Sequence, residues 1–413
     1  RIRSRGLGDV YKRQAYSLLA DYFSPKVRAT VISIYASGLY IGSGIGIFIG
    51  GLIVDNWNNA YPIISEAPFG LKGWQVAFMA VGIPGMLLAL LTWQIKEPPR
   101  GLSEGLISSE SKNPLKETFK ELVGLTPFGL VGSDNFKKEL SINIIFTVLI
   151  FLASYYLYVL TGDFLQWTAF GIGVYVICNW IHGLKNRDPV AFLLIFKSKA
   201  LLLGLLSFPF ITFVTYALGA FGPSFYIRNF SMTATEVGII YGLITVFGSM
   251  IGVICGGILG DKLRETYVNG KLYLIMASAV LTGVTAIGFI HSENLVASFT
   301  WKFVYHIAST AWLGCAASTV TELVLPRLRA VASAFFILML SMIGLALGPY
   351  LTGMVSDIYI NSGLLPGPAL KNAMTLTLVV LVLPFGLLAV ACKYLKNDEA
   401  EIYEKARSLG EEI

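Results

Sequence analysis

Residues 21–55 read DYFSPKVRATVISIYASGLYIGSGIGIFIGGLIVD, and residues 322–357 read ELVLPRLRAVASAFFILMLSMIGLALGPYLTGMVSD. Asp21, Pro25, Lys26, Arg28, Ala29, Gly42, Gly46, Gly51 and Asp55 return in order as Glu322, Pro326, Arg327, Arg329, Ala330, Gly344, Gly348, Gly353 and Asp357. The offset is 301 residues as far as Ala29 and 302 beyond it, so one residue separates the two registers. Nine ordered positions are too many for coincidence and imply an internal duplication. Each copy is apolar between its basic entrance and its closing Asp, and long enough to span a bilayer. A duplicated membrane segment with a Pro-marked basic entrance points to a transporter built from repeats.

Composition agrees. The chain of 413 residues is 55% hydrophobic and only 14% charged, where a soluble domain carries roughly a quarter charged residues. That excludes an ordinary soluble enzyme and implies an all-α polytopic membrane protein with the lipid bilayer as solvent. Its net charge of +6 is no nucleic-acid signal, because the basic residues lie in the gaps between apolar runs. Cys178, Cys255, Cys315 and Cys392 stand singly and lack metal-ligand spacing, which reads as small core residues.

Full spans are expected at about 29–54, 74–95, 141–161, 164–184, 200–226, 236–260, 271–290, 295–325, 330–356 and 370–395. If the Pro25–Arg28 gap is cytoplasmic, alternation puts 22 Lys and Arg inside and three (Lys72, Arg228, Lys371) outside, with residues 1–14 and Lys302 set aside. That bias fixes the sidedness. Residues 1–14 lack a Met, carry no apolar run and are expected to be foreign or disordered sequence. Residues 15–95 are expected to be the remnant of an N-terminal bundle, holding the end of one helix and two full ones. Residues 96–140 form a polar cytoplasmic linker. Asn113-Pro114 there starts a short amphipathic helix with Leu115, Phe119, Leu122 and Val123 on one face. Residues 141–184 add two helices outside either repeat, 185–396 form a C-terminal six-helix bundle, and 397–413 a cytoplasmic tail.

Gly38, Gly42, Gly46 and Gly50 recur every fourth residue, as do Gly248, Gly252, Gly256 and Gly260. Each set marks one helix face where another backbone approaches closely. The expectation is that the two ladders face each other across the two halves. Packing of each ladder within its own bundle is the other reading. Gly257-x-x-Gly260-Asp261-x-x-Arg264 follows the second ladder. Asp261 at that end can accept from a neighbouring helix N-terminus and pair with Arg329 or Arg28, forming a latch; a solvated loop charge is the plainer alternative.

The run around Asp261 and Arg264 resembles the loop motif of the major facilitator superfamily, and the first ladder its fifth-helix glycine motif, with Ile47 in place of the usual proline. Glu97-Pro98-Pro99-Arg100, Gly222-Pro223-x-Phe225 and Arg329-Ala330 followed by Gly353 and Asp357 resemble the Spinster-like branch. The resemblance covers roughly 15–100 and 190–396. It implies two pseudo-symmetric six-helix bundles, here with the N-terminal one incomplete and two helices added. It also implies that the two ladder helices face each other, and a small or amphiphilic organic substrate such as a lysolipid or an organic anion.

Ionisable groups inside a bilayer are costly and call for a functional hypothesis. Lys302 and His306 lie four apart on one face toward the outer half, suited to an anion and to a titrating proton. Snorkelling of the lysine and a satisfied core histidine are the alternatives. Glu322 is expected to pair with Arg329 or its own loop rather than to carry protons. Pro209, Gly219 and Gly222-Pro223 predict a broken or kinked outer end for the span 200–226. Tyr216, Phe221, Phe225 and Tyr226 there are candidates for an outer gate or an interfacial belt, and Tyr35, Tyr40 and Tyr241 for a cavity lining. No catalytic motif appears, and no cofactor is expected. The function expected is secondary transport by alternating access in a cell membrane, a bacterial inner membrane, with proton coupling. A non-transporting membrane sensor or scaffold is the alternative.

Overall fold

A computed structural model describes residues 15, 16, 19, 20, 22–92, 123 and 136–408, and among these every regular element is helical. Asp21, the 1–14 segment, the Glu97–Arg100 motif and the proposed linker helix after Asn113 (but for Val123) lie outside the described residues. The chain divides into two compact units.

The first unit takes in residues up to 107 and Lys199–Ala400. It opens with α1 (Arg28–Ala60) and α2 (Gly73–Thr92). The bundle proper is α6 (Lys199–Phe230), α7 (Ala234–Thr266), α8 (Gly270–His291), the pair α9 (Leu295–Thr310) and α10 (Leu313–Glu322), then α11 (Arg329–Met339), α12 (Ala346–Asn361), α13 (Pro366–Thr377) and α14 (Val382–Ala391). The tail helix α15 runs Leu395–Ser408. The second unit (Ser108–Ser198 and Glu401–Ile413) contains α3 (Phe136–Thr161), α4 (Phe164–Arg187) and α5 (Pro189–Phe196).

The helices begin where local chemistry allows. Thr233 and Glu236 form a reciprocal capping box at the start of α7. Asn294 accepts from Val296 and Ala297 at the start of α9, and Asp188 from Ala191 ahead of Pro189 at the start of α5. Asp398 of α15 accepts from the Ala200 amide in the first turn of α6, at 2.8 Å. In the second unit α3 and α4 form a hairpin. Asn143 donates to Asn179 at 2.9 Å and accepts from the Tyr175 hydroxyl at 3.0 Å. Polar pairs of this kind join helices where apolar burial supplies little drive.

Nine described helical segments are long and apolar enough to cross a membrane. The expected span at 295–325 departs from the expectation, being broken at Ala311 and Trp312. Side chains compete for the backbone there: Thr310 Oγ1 donates to the carbonyls of His306 (2.8 Å) and Ser249 (3.1 Å), and Trp312 Nε1 to that of Ser309 (3.1 Å). Conversely, α6 runs unbroken through Pro209 and Pro223, so the predicted break is absent. Neighbouring helices enclose its middle, the setting in which a membrane helix tolerates proline. Between α11 and α12, residues 340–345 form a π-helical turn. An added Cβ at Gly344 would lie 2.3 Å from Thr212 Oγ1 of α6, and one at Gly348 2.4 Å from the Phe213 carbonyl.

The duplication is visible in the backbone. Val27 donates to the Ser24 carbonyl, and its counterpart Leu328 to that of Leu325, so each copy turns once at its proline before the helix starts at Arg28 or Arg329. Arg28 Nη2 donates to the Ala20 carbonyl at 2.9 Å and Arg329 Nε to the Thr321 carbonyl at 3.3 Å, eight residues upstream in both cases. Both guanidinium side chains are buried, at 1% and 2% exposure. A buried fork donor that ties a helix start to the preceding helix end explains why both copies keep Arg at this register.

Candidate functional site

The helices α1 and α7 pack antiparallel over most of their length. Neither is brought together by the ladder faces predicted for it. On α1 the seam is Ala29, Ser33, Gly44 and Gly51. A Cβ at Gly44 would meet the Gly242 carbonyl at 2.6 Å, and one at Gly257 would meet Ser33 Oγ at 2.4 Å and the Ala29 carbonyl at 2.8 Å. Gly38, Gly42, Gly46 and Gly50 have nothing within 4 Å of an added Cβ. Gly42 and Gly46 each lie two residues from Gly44, about 200° around the helix, and so cannot share its face. On α7, Gly248 packs on Phe303 and His306, Gly252 on Ile307, Gly256 on Ala311 and Gly260 on Cys315. That ladder serves the α9–α10 pair of its own bundle, and Gly238, Gly242 and Gly257 meet α1 instead.

Each end of the seam is closed by a carboxylate. At the end expected to face the cytoplasm Asp261, 7% exposed, accepts from the Thr30 amide (2.7 Å), the Thr30 hydroxyl (2.7 Å) and the Ala29 amide (3.3 Å). These amides belong to the first turn of α1, where unpaired N–H groups and the helix dipole favour a negative charge. Among the described residues the ion partner of Asp261 is neither Arg28 nor Arg329. Lys271 Nζ stands 3.4 Å from Asp261 and 2.6 Å from Glu322, and also donates to Ser318 at 2.8 Å. Glu322 is therefore bound to Lys271 rather than to Arg329, and Ser318 donates to it at 2.7 Å. The physical reason is place: α7 and α8 are joined by a short turn, which puts the first residues of α8 beside the last turn of α7. Arg264 pairs with Glu399 of α15 and donates to the Val268 carbonyl. Burial raises the Glu399 carboxyl above its ordinary range, with Arg264 opposing the shift. At the opposite end of the seam Asp55 of α1 accepts from the Thr235 hydroxyl in the first turn of α7. Sequence reading gave Asp55 no role, although it is the acid that closes the first repeat.

A second cluster sits inside the bundle. Lys302, fully buried, places Nζ over the rings of Phe289 (4.1 Å), Tyr305 (4.4 Å) and Tyr241 (5.0 Å). It does not snorkel. Among the described residues Nζ has no hydrogen-bond partner and no carboxylate in ion-pair range. Each ring contributes about 0.5–2 kcal/mol to a cation, whereas burying an ion costs several kcal/mol, so the rings offset only part of the desolvation. The Tyr241 and Tyr305 hydroxyls are buried without partners as well. His306 is 8% exposed, and its ring nitrogens lie 3.1 Å from Ser249 Oγ and 3.4 Å from Thr245 Oγ1. Its ring meets those of Tyr241 and Tyr305 edge-on.

The aromatic candidates divide. Phe225 and Tyr226 are buried in the core. Tyr226 stacks on Phe299 with centroids 4.2 Å apart and its hydroxyl lies 3.1 Å from Ser298 Oγ, while Phe225 abuts Phe289. Phe221 is partly buried against Gly353. Tyr241 likewise belongs to the core, and a Cβ at Gly222 would lie 2.3 Å from its hydroxyl oxygen. Tyr216 and Tyr35 stay exposed, at 41% and 38%. Tyr35 contacts Tyr16 edge-on, and Tyr40 lies within electrostatic reach of Tyr16, Tyr216 and Tyr305. Tyrosines from α1 and α6 thus gather on the side of the bundle where Tyr305 is set.

The sequence profile of the Major Facilitator Superfamily matches residues 14–349. The chain is similar to an MFS-type efflux pump of Mycolicibacterium smegmatis, 30% identical over 201 residues, covering 48% of this chain and 45% of that protein. It is 21% identical over 365 residues to Protein spinster of Drosophila melanogaster, covering 85% and 45%. The chain thus spans about half the length of these curated relatives. Among solved structures, a bacterial homolog of the human lysosomal transporter Spinster, inward-facing and occupied, aligns with a TM-score of 0.47 at 21% identity, covering 95% of this chain and 74% of that one. The duplicated helix start, the carboxylate-capped seam and a profile match over most of its length agree: this chain belongs to the Major Facilitator Superfamily.

Proposed function

We propose that the protein is a secondary transporter of a small or amphiphilic organic solute, working by alternating access in a cell membrane, the inner membrane of a bacterium. The observation that carries the reading is the α1–α7 seam, clipped by Asp261 on the first turn of α1 and by Asp55 on the first turn of α7. The antiparallel helices each offer an acid near their own C-terminal end to the N-terminus of the other. Opening toward the cytoplasm breaks the Asp261 clip, and opening outward breaks the Asp55 clip. Backbone-close contacts at Gly44, Gly242 and Gly257 suit a hinge in which few side chains must repack. Coupling is to protons, with an ion gradient as the energy source. A relative named as an efflux pump supports movement of a solute across the membrane.

The test is solute flux in proteoliposomes under an imposed pH gradient, with radiolabelled lysolipids and organic acids as probes. Uptake that collapses with a protonophore supports proton coupling. Saturable binding without flux for every probe would leave a sensor and sink the transport reading.

A further inference from the structure

Lys302 Nζ, the Tyr241 hydroxyl and the Tyr305 hydroxyl are three buried polar groups that meet no hydrogen-bond partner among the described residues, contributed by α7 and α9. We propose that this enclosure is the binding site for the acidic group of the solute, a carboxylate or a phosphate, with Lys302 as its counter-ion and the two tyrosine hydroxyls as additional donors. This inference rests on the transport reading and names the substrate class for it.

The chemistry follows from what the enclosure supplies. The ammonium offers three donors and the hydroxyls one each, against no acceptor from the described residues within range of Nζ. The Tyr305 hydroxyl lies beside Thr215 and Ser309. The ring faces of Phe289, Tyr305 and Tyr241 keep water from Nζ while leaving its charge unneutralised. The acids nearest in chemistry, Asp261 and Glu322, are committed to Lys271 at the inner end. A charge-assisted hydrogen bond to an anion in so dry a setting is strong. His306, held by Ser249 and Thr245, braces the tyrosine rings edge-on and fixes the donor geometry. The site is closed in this conformation, Lys302 being fully buried.

Three probes test this on the purified full chain: 1-palmitoyl lysophosphatidic acid, its neutral counterpart 1-palmitoylglycerol, and adipate as a free dicarboxylate. Wild-type protein should bind lysophosphatidic acid or adipate, and which of the two identifies a lipid phosphate or a free acid as the source. Lys302→Met should weaken that binding about tenfold or more and leave 1-palmitoylglycerol unaffected. Tyr305→Phe, which removes one hydroxyl and keeps the ring, should weaken it about fivefold with the fold intact, and decides the question if the lysine variant fails to fold. Unchanged acid affinity in the folded variants, or no preference of wild type for an acidic probe, overturns the proposal. Flux is read separately: acid binding lost in Lys302→Met but no transport by wild type would keep the site and reject the carrier.

Discussion

Asp261→Asn removes one charge and little volume, so it isolates the electrostatic share of the inner clip. The carboxylate accepts two short bonds from Thr30 and a longer one from Ala29. Hydrogen bonds to a charged group contribute about 1.5–3 kcal/mol and neutral ones about 0.5–1.5, so each short bond loses about 1 kcal/mol on neutralisation. Removing a negative charge from a partly buried helix N-terminus costs about 1 kcal/mol more. Lys271 is not stranded, since Glu322 remains 2.6 Å away. The total is about 3 kcal/mol, or roughly a hundredfold shift between closed and open inner ends. Spin labels at Val27 and Lys262, exposed positions beside the clip, report that distance by pulsed electron resonance once the four native cysteines are replaced. The variant should gain a long-distance population absent from wild type. A distance distribution that superimposes on that of wild type would refute the latch.

The other predictions follow from the same contacts. Asp55→Asn should lengthen the distance between labels at the outer ends of α1 and α7 and leave the inner pair unchanged, the reverse of Asp261→Asn; matching changes at both ends would contradict separate clips. Lys271→Met leaves the buried Asp261 and the half-buried Glu322 without their shared cation and should destabilise by about 3–5 kcal/mol, read as a large fall in Tm in detergent. Gly256→Ala would press a Cβ to 2.1 Å from the Ala311 carbonyl and should cost about 1–3 kcal/mol. Gly42→Ala meets nothing within 4 Å and should be neutral or stabilising by up to about 1 kcal/mol; equal Tm losses in the two would refute the assignment of faces. Burial raises the Glu399 carboxyl, so the folded state holds that proton more tightly than the unfolded chain. Its stabilising contribution is complete below the ordinary carboxylate range and is lost as pH rises through the raised value. Thermal scans across that window should show wild type losing stability relative to Glu399→Gln as pH rises.

What the sequence settled by itself was what depends on local pattern. Apolar run length specified the membrane spans, because a bilayer has a fixed thickness and an unpaired backbone cannot cross it. The nine-position repeat specified that Arg28 and Arg329 occupy equivalent places, and each ties its helix to the carbonyl eight residues upstream. The meeting of the helices bearing Gly42 and Gly252 was legible as a pairing of elements. Which faces met was not, because spacing of four defines a stripe without saying what covers it, and Gly44 and Gly51 lie outside the stripe. The partner of Asp261 was equally illegible: Arg28, Arg329 and Lys271 are bases of one sign at one end of the bundle, and only the packing of α8 beside α7 selects Lys271. The break at Ala311 and the persistence of α6 through two prolines are likewise decisions of tertiary structure, made by hydrogen bonds and enclosure that neighbouring helices provide. The Lys302 enclosure shows the division most clearly. The sequence reveals a lysine in an apolar run, but Phe289, Tyr241 and Tyr305 come from three helices, and whether a buried charge is paired depends on groups that chain order does not bring together.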